Sequence, residues 1–230
     1  MAVCGDLRFA SHHDMMRVIE RTLLRANLPL RYSQGFSPRA VLSLSFPRPV
    51  GVATRRDLLV AALDSPVVRH ELLAAANRHC PEGLNFVDAT LLESKATPIA
   101  VECTYQIPVP AEKTDAVTRA VEHFSARDTF TVQRTKPPKR RGRRVQGEAV
   151  TRTLDLKLLV DNVEFDGETL SWRQAPHESR WAKPTEAMQA LGLDSAGDMA
   201  LVTRTSLVFQ GLNEYSGEPD EKIDGEPETI

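Results

Sequence analysis

The chain has 230 residues, 41% hydrophobic and 26% charged, with a formal net charge of −2, which is the make-up of a globular protein rather than a fibrous or fully disordered one. No apolar run approaches the ~20 residues a membrane-spanning helix needs, and the opening MAVCGDLRFASHHD lacks a cationic stretch followed by an apolar one. Cys4, Cys80 and Cys103 are too far apart for a disulfide framework, a zinc site or an iron–sulfur cluster, so the expectation is a cytoplasmic chain with no metal, no cofactor and no membrane partner.

Leu7 to Ala10 reads as a short strand. Ser11 then offers an N-cap hydroxyl, and Asp14 three residues on completes a capping box. A helix from Asp14 to Ala26 is expected to bury Met15, Met16, Ile19, Leu23 and Ala26 along one arc of about 100°. Arg17, Arg21 and Arg25 share its opposite side. After the break at Asn27 and Pro29 comes the turn Tyr32–Arg39, and then Val41–Phe46, whose alternation predicts a half-buried strand. The wholly apolar run 58–63 predicts a central strand. Pro66 opens a helix to about Cys80, and 84–93 returns as a strand. That order, β-α-β-β-α-β, is the ferredoxin-like unit.

The second half repeats the pattern. It has a strand at 101–110, a helix burying Val117, Ala120, Val121 and Phe124, a strand at 130–135, and a hairpin turning at Asp166-Gly167. A short helix from Pro184 and a long final strand close it. The expected fold is α+β: two tandem ferredoxin-like domains with antiparallel sheets at 1–95 and 100–212, then an acidic tail at 213–230.

Charge is unevenly spread. Residues 213–230 hold seven acids and one lysine, a net of −6, which leaves the other residues at +4. Acid, Gly and Pro with little to bury give the tail a disordered composition. Arg134 to Arg144, RTKPPKRRGRR, has seven cations and no acid. Such a run is expected to repel itself into an exposed loop rather than pack as a strand. It is either a solvated linker or a phosphate-contacting arm, in which Lys136, Lys139, Arg140, Arg141, Arg143 and Arg144 are the candidates.

A second cluster lies at Ser11–Arg39. Ser11, His12 and Asp14 sit at a helix start, where free N–H groups suit an anion. Arg17, Arg21 and Arg25 line the helix, and Tyr32, Gln34, Gly35, Phe36 and Arg39 occupy the following loop. Gly35 permits a positive φ, and Tyr32 and Phe36 are aromatics able to stack a base. The plainer alternatives are that the arginines solubilise an exposed face and that Phe36 belongs to the core. His12 and His13 have no third ligand at useful spacing, which speaks against a metal site.

These residues resemble a known family. The pattern R-F-x-S-H-x-D-x-x-R is matched by Arg8, Phe9, Ser11, His12, Asp14 and Arg17. Arg25, Ala26, Leu28 and Pro29 match R-A-x-L-P, and Ser33, Gln34, Gly35, Phe36 and Pro38 match S-Q-G-F-x-P. Pro49 and Gly51 match the closing P-x-G. The stretch is similar to the radical-SAM-linked bacterial domain of unknown function, which occurs fused to, or encoded beside, radical S-adenosylmethionine proteins. The match is dense over 7–51 and continues weakly at Asp155 and at Pro184-Thr185-Glu186. His13 and the pair Arg39-Ala40 depart from the pattern.

The resemblance implies a radical SAM protein as partner. This chain lacks the three closely spaced cysteines such an enzyme needs for its cluster, so the radical chemistry would be the partner's. The combined expectation is a non-catalytic accessory module that binds RNA or a phosphate-bearing substrate and presents it to that enzyme. One alternative is a protein-docking module without nucleic acid. The other is an RNA-processing or RNA-modifying enzyme. An endonuclease would use His12 as base, Tyr32 as proton donor, and Arg17 and Arg39 as phosphate clamps. A pseudouridine synthase would need Asp14 or Asp155 as nucleophile.

Overall fold

The computed structural model describes residues 1–92, 97–141 and 144–212, with backbone alone at 139–141 and 144–146. Arg143 and the acidic tail at 213–230 lie outside the described residues. The chain is α+β, with four α-helices among the described residues and strands paired mostly antiparallel. It divides into two compact units. One is Met1–Gln106 with the chain from Ala200 onward, and the other is Ile107–Met199. The sequence pattern put the junction at 94–100 and gave the last strand to the second half.

In the first unit, β1 (Ala2–Val3) is followed by a 3-10 helix at Gly5–Phe9, where the sequence suggested a strand at Leu7–Ala10. Gly5, at φ +56°, turns the chain just after β1, and Arg8 Nε donates to Gly5 O at 2.9 Å. Helix α1 (His12–Arg25) follows, with Ser11 as its N-cap. The chain continues through β2 (Leu42–Leu44), β3 (Ala53–Thr54), β4 (Leu59–Ala61), α2 (Arg69–Arg78) and β5 (Leu84–Asn85). Next comes β6 (Ala100–Pro108), whose last two residues belong to the second unit.

The run at 58–63 is not a central strand, because among the described residues β4 pairs only with β2. A continuously apolar run does not by itself distinguish a buried strand from a half-buried one. The strand expected at 84–93 stops at Asn85. There the Asn77 side chain donates to Phe86 O at 2.9 Å and accepts from Phe86 N at 2.7 Å, which occupies the groups a longer ladder would use.

In the second unit, α3 (Thr114–Ser125) buries Val117 and Phe124. Strand β7 (Thr131–Lys136) and a backbone hairpin of β8 (Lys139–Arg141) and β9 (Arg144–Gln146) follow. The basic segment thus does form strands. A hairpin ladder satisfies its own backbone groups and needs no buried face to do so. Strand β10 (Val150–Asp155) pairs with β7, and a 3-10 turn at Leu156–Leu158 leads to the hairpin of β11 (Val160–Phe165) and β12 (Thr169–Gln174). Helix α4 (Pro184–Ala190) completes the unit.

The final strand β13 (Thr203–Phe209) returns to the first unit. It pairs antiparallel with β6 and parallel with β3, so the order there is β6-β13-β3-β1-β5. This strand order does not establish two ferredoxin-like sheets: β2 and β4 stand apart as a separate pair, and the end of the chain fills the place beside β3. The core of the first unit is Val3, Met15, Ile19, Leu23, Leu30, Ala76, Leu84 and Phe86, which includes three of the five residues expected on the inner face of α1.

Candidate nucleic-acid interface

Residues directly opposite across an antiparallel ladder point to the same face. Between β7 and β10 these pairs are Lys136 with Val150, Arg134 with Arg152, and Val132 with Leu154. The other face carries Thr135 opposite Thr151, whose hydroxyls are 2.9 Å apart. One face of this ribbon is therefore cationic with apolar residues beside the cations, and the other is polar, with Thr131, Gln133, Thr135, Thr151 and Thr153 and one acid, Asp155.

The cationic face opens into a groove of about 500 Å3. Val150, Leu154 and Pro137 supply its apolar surface. Arg134, Lys136, Arg152 and Arg180 supply four cations against the single acid Glu148. Arg134 is fixed in place. Its Nε donates to Glu186 Oε1 at 2.7 Å, and its Nη2 donates to Glu186 Oε2 at 2.5 Å and to Trp181 O at 2.9 Å. Glu186 also accepts from Lys183 N at 2.8 Å, which binds the start of α4 to the same carboxylate. Burial works against the Glu186 charge, but these bonds outweigh it and hold the carboxyl below its ordinary value.

Arg152 and Lys136 have no ion pair or side-chain hydrogen bond among the described residues, and both are exposed. Arg180 is exposed too, with Glu178 at 3.6 Å. Like charges directly opposite on a ladder repel. Glu186 neutralises one of the facing arginines and leaves the other to solvent. The groove thus sets aliphatic surface beside exposed cations, and clustered cations of this kind suit a phosphate-bearing ligand.

The motif cluster of the first unit is placed differently. Ser11 Oγ accepts from Asp14 N at 3.2 Å and donates to Asp14 Oδ2 at 2.7 Å, while Arg17 reaches Asp14 Oδ1 at 3.3 Å. The helix start is thus already occupied by its own carboxylate, which disfavours a second anion there. The rings of His12 and His13 stand 5.7 Å apart on the surface.

Arg17, Arg21, Arg25, Tyr32, Gln34, Gly35, Phe36 and Arg39 are all exposed. Phe36 is fully so, at 110% of its reference surface, which removes it from the core. The loop is closed at its base, where Ser33 N donates to Arg39 O at 2.8 Å and Arg39 N donates to Ser33 Oγ at 3.1 Å. Gly35 has φ +139°. Among the described residues no hydrogen bond or ion pair joins this loop to the arginines of α1.

Of the basic-segment candidates, Lys136 lines the groove. Lys139, Arg140, Arg141 and Arg144 are described as hairpin backbone only. Asp155 has a structural job: its Oδ1 accepts from Phe130 N at 2.8 Å and from Lys157 N at 3.0 Å, capping the 3-10 turn. Sequence reasoning missed Arg152, Arg180 and the Arg134–Glu186 clamp. The signal for the clamp was Glu186 itself, the acid of the quoted Pro184-Thr185-Glu186 element. It also missed a buried ion pair in the first unit, between Arg204 and Asp57 at 2.6 Å.

No curated protein matches the chain. Residues 2–175, which take in the motif cluster, the basic segment, β7 and β10, match the family described as uncharacterized proteins conserved in bacteria, DUF2344. The chain belongs to that family.

Proposed function

We propose that the chain is a non-catalytic accessory module that binds RNA, or a phosphate-bearing substrate, and presents it to a separate radical SAM enzyme. The groove on β7 and β10 is the binding surface, and the basic strands β8 and β9 follow β7 directly in the chain. The observation that carries this reading is the pair Arg134 and Arg152, one neutralised and one uncommitted, with apolar residues beside them. Such a surface contacts phosphates through charge and bases through apolar packing, with little demand on sequence. The radical SAM partner enters from the resemblance of the Ser11–Gly51 motifs. A tandem ferredoxin-like arrangement is not required, since one strand pair supplies the site. Binding of a labelled oligouridine to the full chain and to its Arg152→Ala variant tests the reading, and the variant should bind more weakly at unchanged stability.

A specific observation favours a second reading. Phe36 stands fully exposed at the tip of a hydrogen-bonded loop whose residues 33–38 carry no charge. An isolated aromatic presented in this way is a good anchor for the apolar pocket of a partner protein. In that reading the chain docks its enzyme without nucleic acid. Oligouridine binding that is absent at low salt would favour it.

A further inference from the structure

The first unit holds a buried concentration of positive charge that RNA binding on β7 and β10 does not use. Arg204 on β13 is completely buried, and Arg48, in the turn between β2 and β3, is 9% exposed. Arg204 Nη2 donates to Asp57 Oδ1 at 2.6 Å and to Phe46 O at 2.9 Å, and the Phe46 ring lies 5.2 Å from its guanidinium. Arg48 Nη2 donates to Leu7 O at 2.6 Å. Asp57 is the acid that acts on both guanidiniums.

Two guanidiniums thus face one carboxylate. The neighbouring Cys103 and Tyr105 do not restore the balance, because burial pushes the thiol up to about 11 and the phenol higher still, and both stay neutral at physiological pH. Arg204 Nε, Arg204 Nη1, Arg48 Nε and Ser45 Oγ are buried with no close hydrogen-bond partner, although the Tyr105 hydroxyl interacts with the Arg204 guanidinium. Buried donors on charged groups are costly to leave unmade. An uncompensated positive charge with several guanidinium N–H groups and a hydroxyl is the donor set that oxyanions take.

We propose that Ser45, Arg48 and Arg204 form an anion site beneath the Ser45–Pro49 turn, taking one oxyanion group, a phosphate or a carboxylate. Phe46 and the half-buried Ser45 give it a side toward the surface, so the group is either a free ion or the anionic end of a larger ligand. The site belongs to the first unit alone and does not depend on RNA binding in the second.

The test is a titration of the full chain, carrying Lys136→Ala and Arg152→Ala to silence the groove, with inorganic phosphate and separately with acetate in chloride buffer. Calorimetry and the melting temperature are followed together. Saturable binding with a rising melting temperature is expected, weakened about tenfold or more by Arg48→Gln, which removes a charged donor. Tighter phosphate than acetate identifies a phosphate ligand, and the reverse order a carboxylate. Ser45→Ala, which removes a hydroxyl that bonds nothing, should also weaken binding and keeps the test open where Arg48→Gln fails to fold. The site is refuted by the absence of saturable binding of either ion, or by binding equally tight in the Arg48→Gln and Ser45→Ala chains.

Discussion

Arg134 and Arg152 face each other directly across the β7–β10 ladder, yet among the described residues only Arg134 is held by a carboxylate. Glu186 takes it bidentately from the first turn of α4 and so keeps two like charges compatible with one face. What is left over is a cation on a rigid strand, with Lys136 one pair further along the same face. A solvated surface charge would need no such partner for its neighbour.

Glu186 therefore has a stability role that can be separated from binding. Glu186→Gln should cost about 1–3 kcal/mol, the range for a lost hydrogen bond to a charged group, read from a urea midpoint at unchanged slope. Because the Glu186 carboxyl is held below its ordinary value, its contribution is complete above the unfolded pKa of about 4.3 and fades as pH falls through the lower folded value. The gap between the two proteins should close in acid. A gap unchanged at about pH 3 contradicts the assigned ion pair. At neutral pH the same variant removes the charge that neutralises Arg134, so RNA affinity should rise, not fall.

Asp57→Ala leaves Arg204 buried without its carboxylate, and should cost about 3–5 kcal/mol. The double variant Asp57→Leu with Arg204→Met should recover much of that loss, since apolar residues of similar volume replace a buried pair at little cost. Chemical denaturation of the three chains decides this. Equal destabilisation in the single and double variants would show that the pair is not what the site needs.

Leu23→Asp places a carboxylate in the core of the first unit, where Leu23 is 3% exposed, and should destabilise it by several kcal/mol. Phe36→Ser should leave the melting temperature within the change expected of about 0.5 kcal/mol, because the ring buries nothing. A large loss at Phe36 would mean that the loop packs against the fold after all.

The contrast between these two residues shows what was legible in the sequence. The inner face of α1 could be read because helical periodicity reports burial directly, and Met15, Ile19 and Leu23 are buried as expected. Phe36 could not be placed, because a lone aromatic in a loop has no period. The end of β5 depended on Asn77, a side chain nine residues away in sequence from the backbone it caps. The return of β13 to the first unit depended on pairings such as Arg204 with Tyr105 that no local pattern contains. In the second unit the cations of the basic segment were visible as composition. Arg152 was not, since it becomes part of that surface only through its register with Arg134.

The most direct test is the salt dependence of oligouridine binding, measured by fluorescence anisotropy on the full chain, Lys136→Ala, Arg152→Ala and the double variant. If these side chains contact phosphates, log affinity falls linearly with log salt, by about 0.7 per contacted phosphate, and each substitution removes about one such step. Melting temperatures should stay unchanged across the set. Binding that ignores salt, or equal affinity in the wild-type and doubly substituted chains, would contradict RNA recognition on β7 and β10.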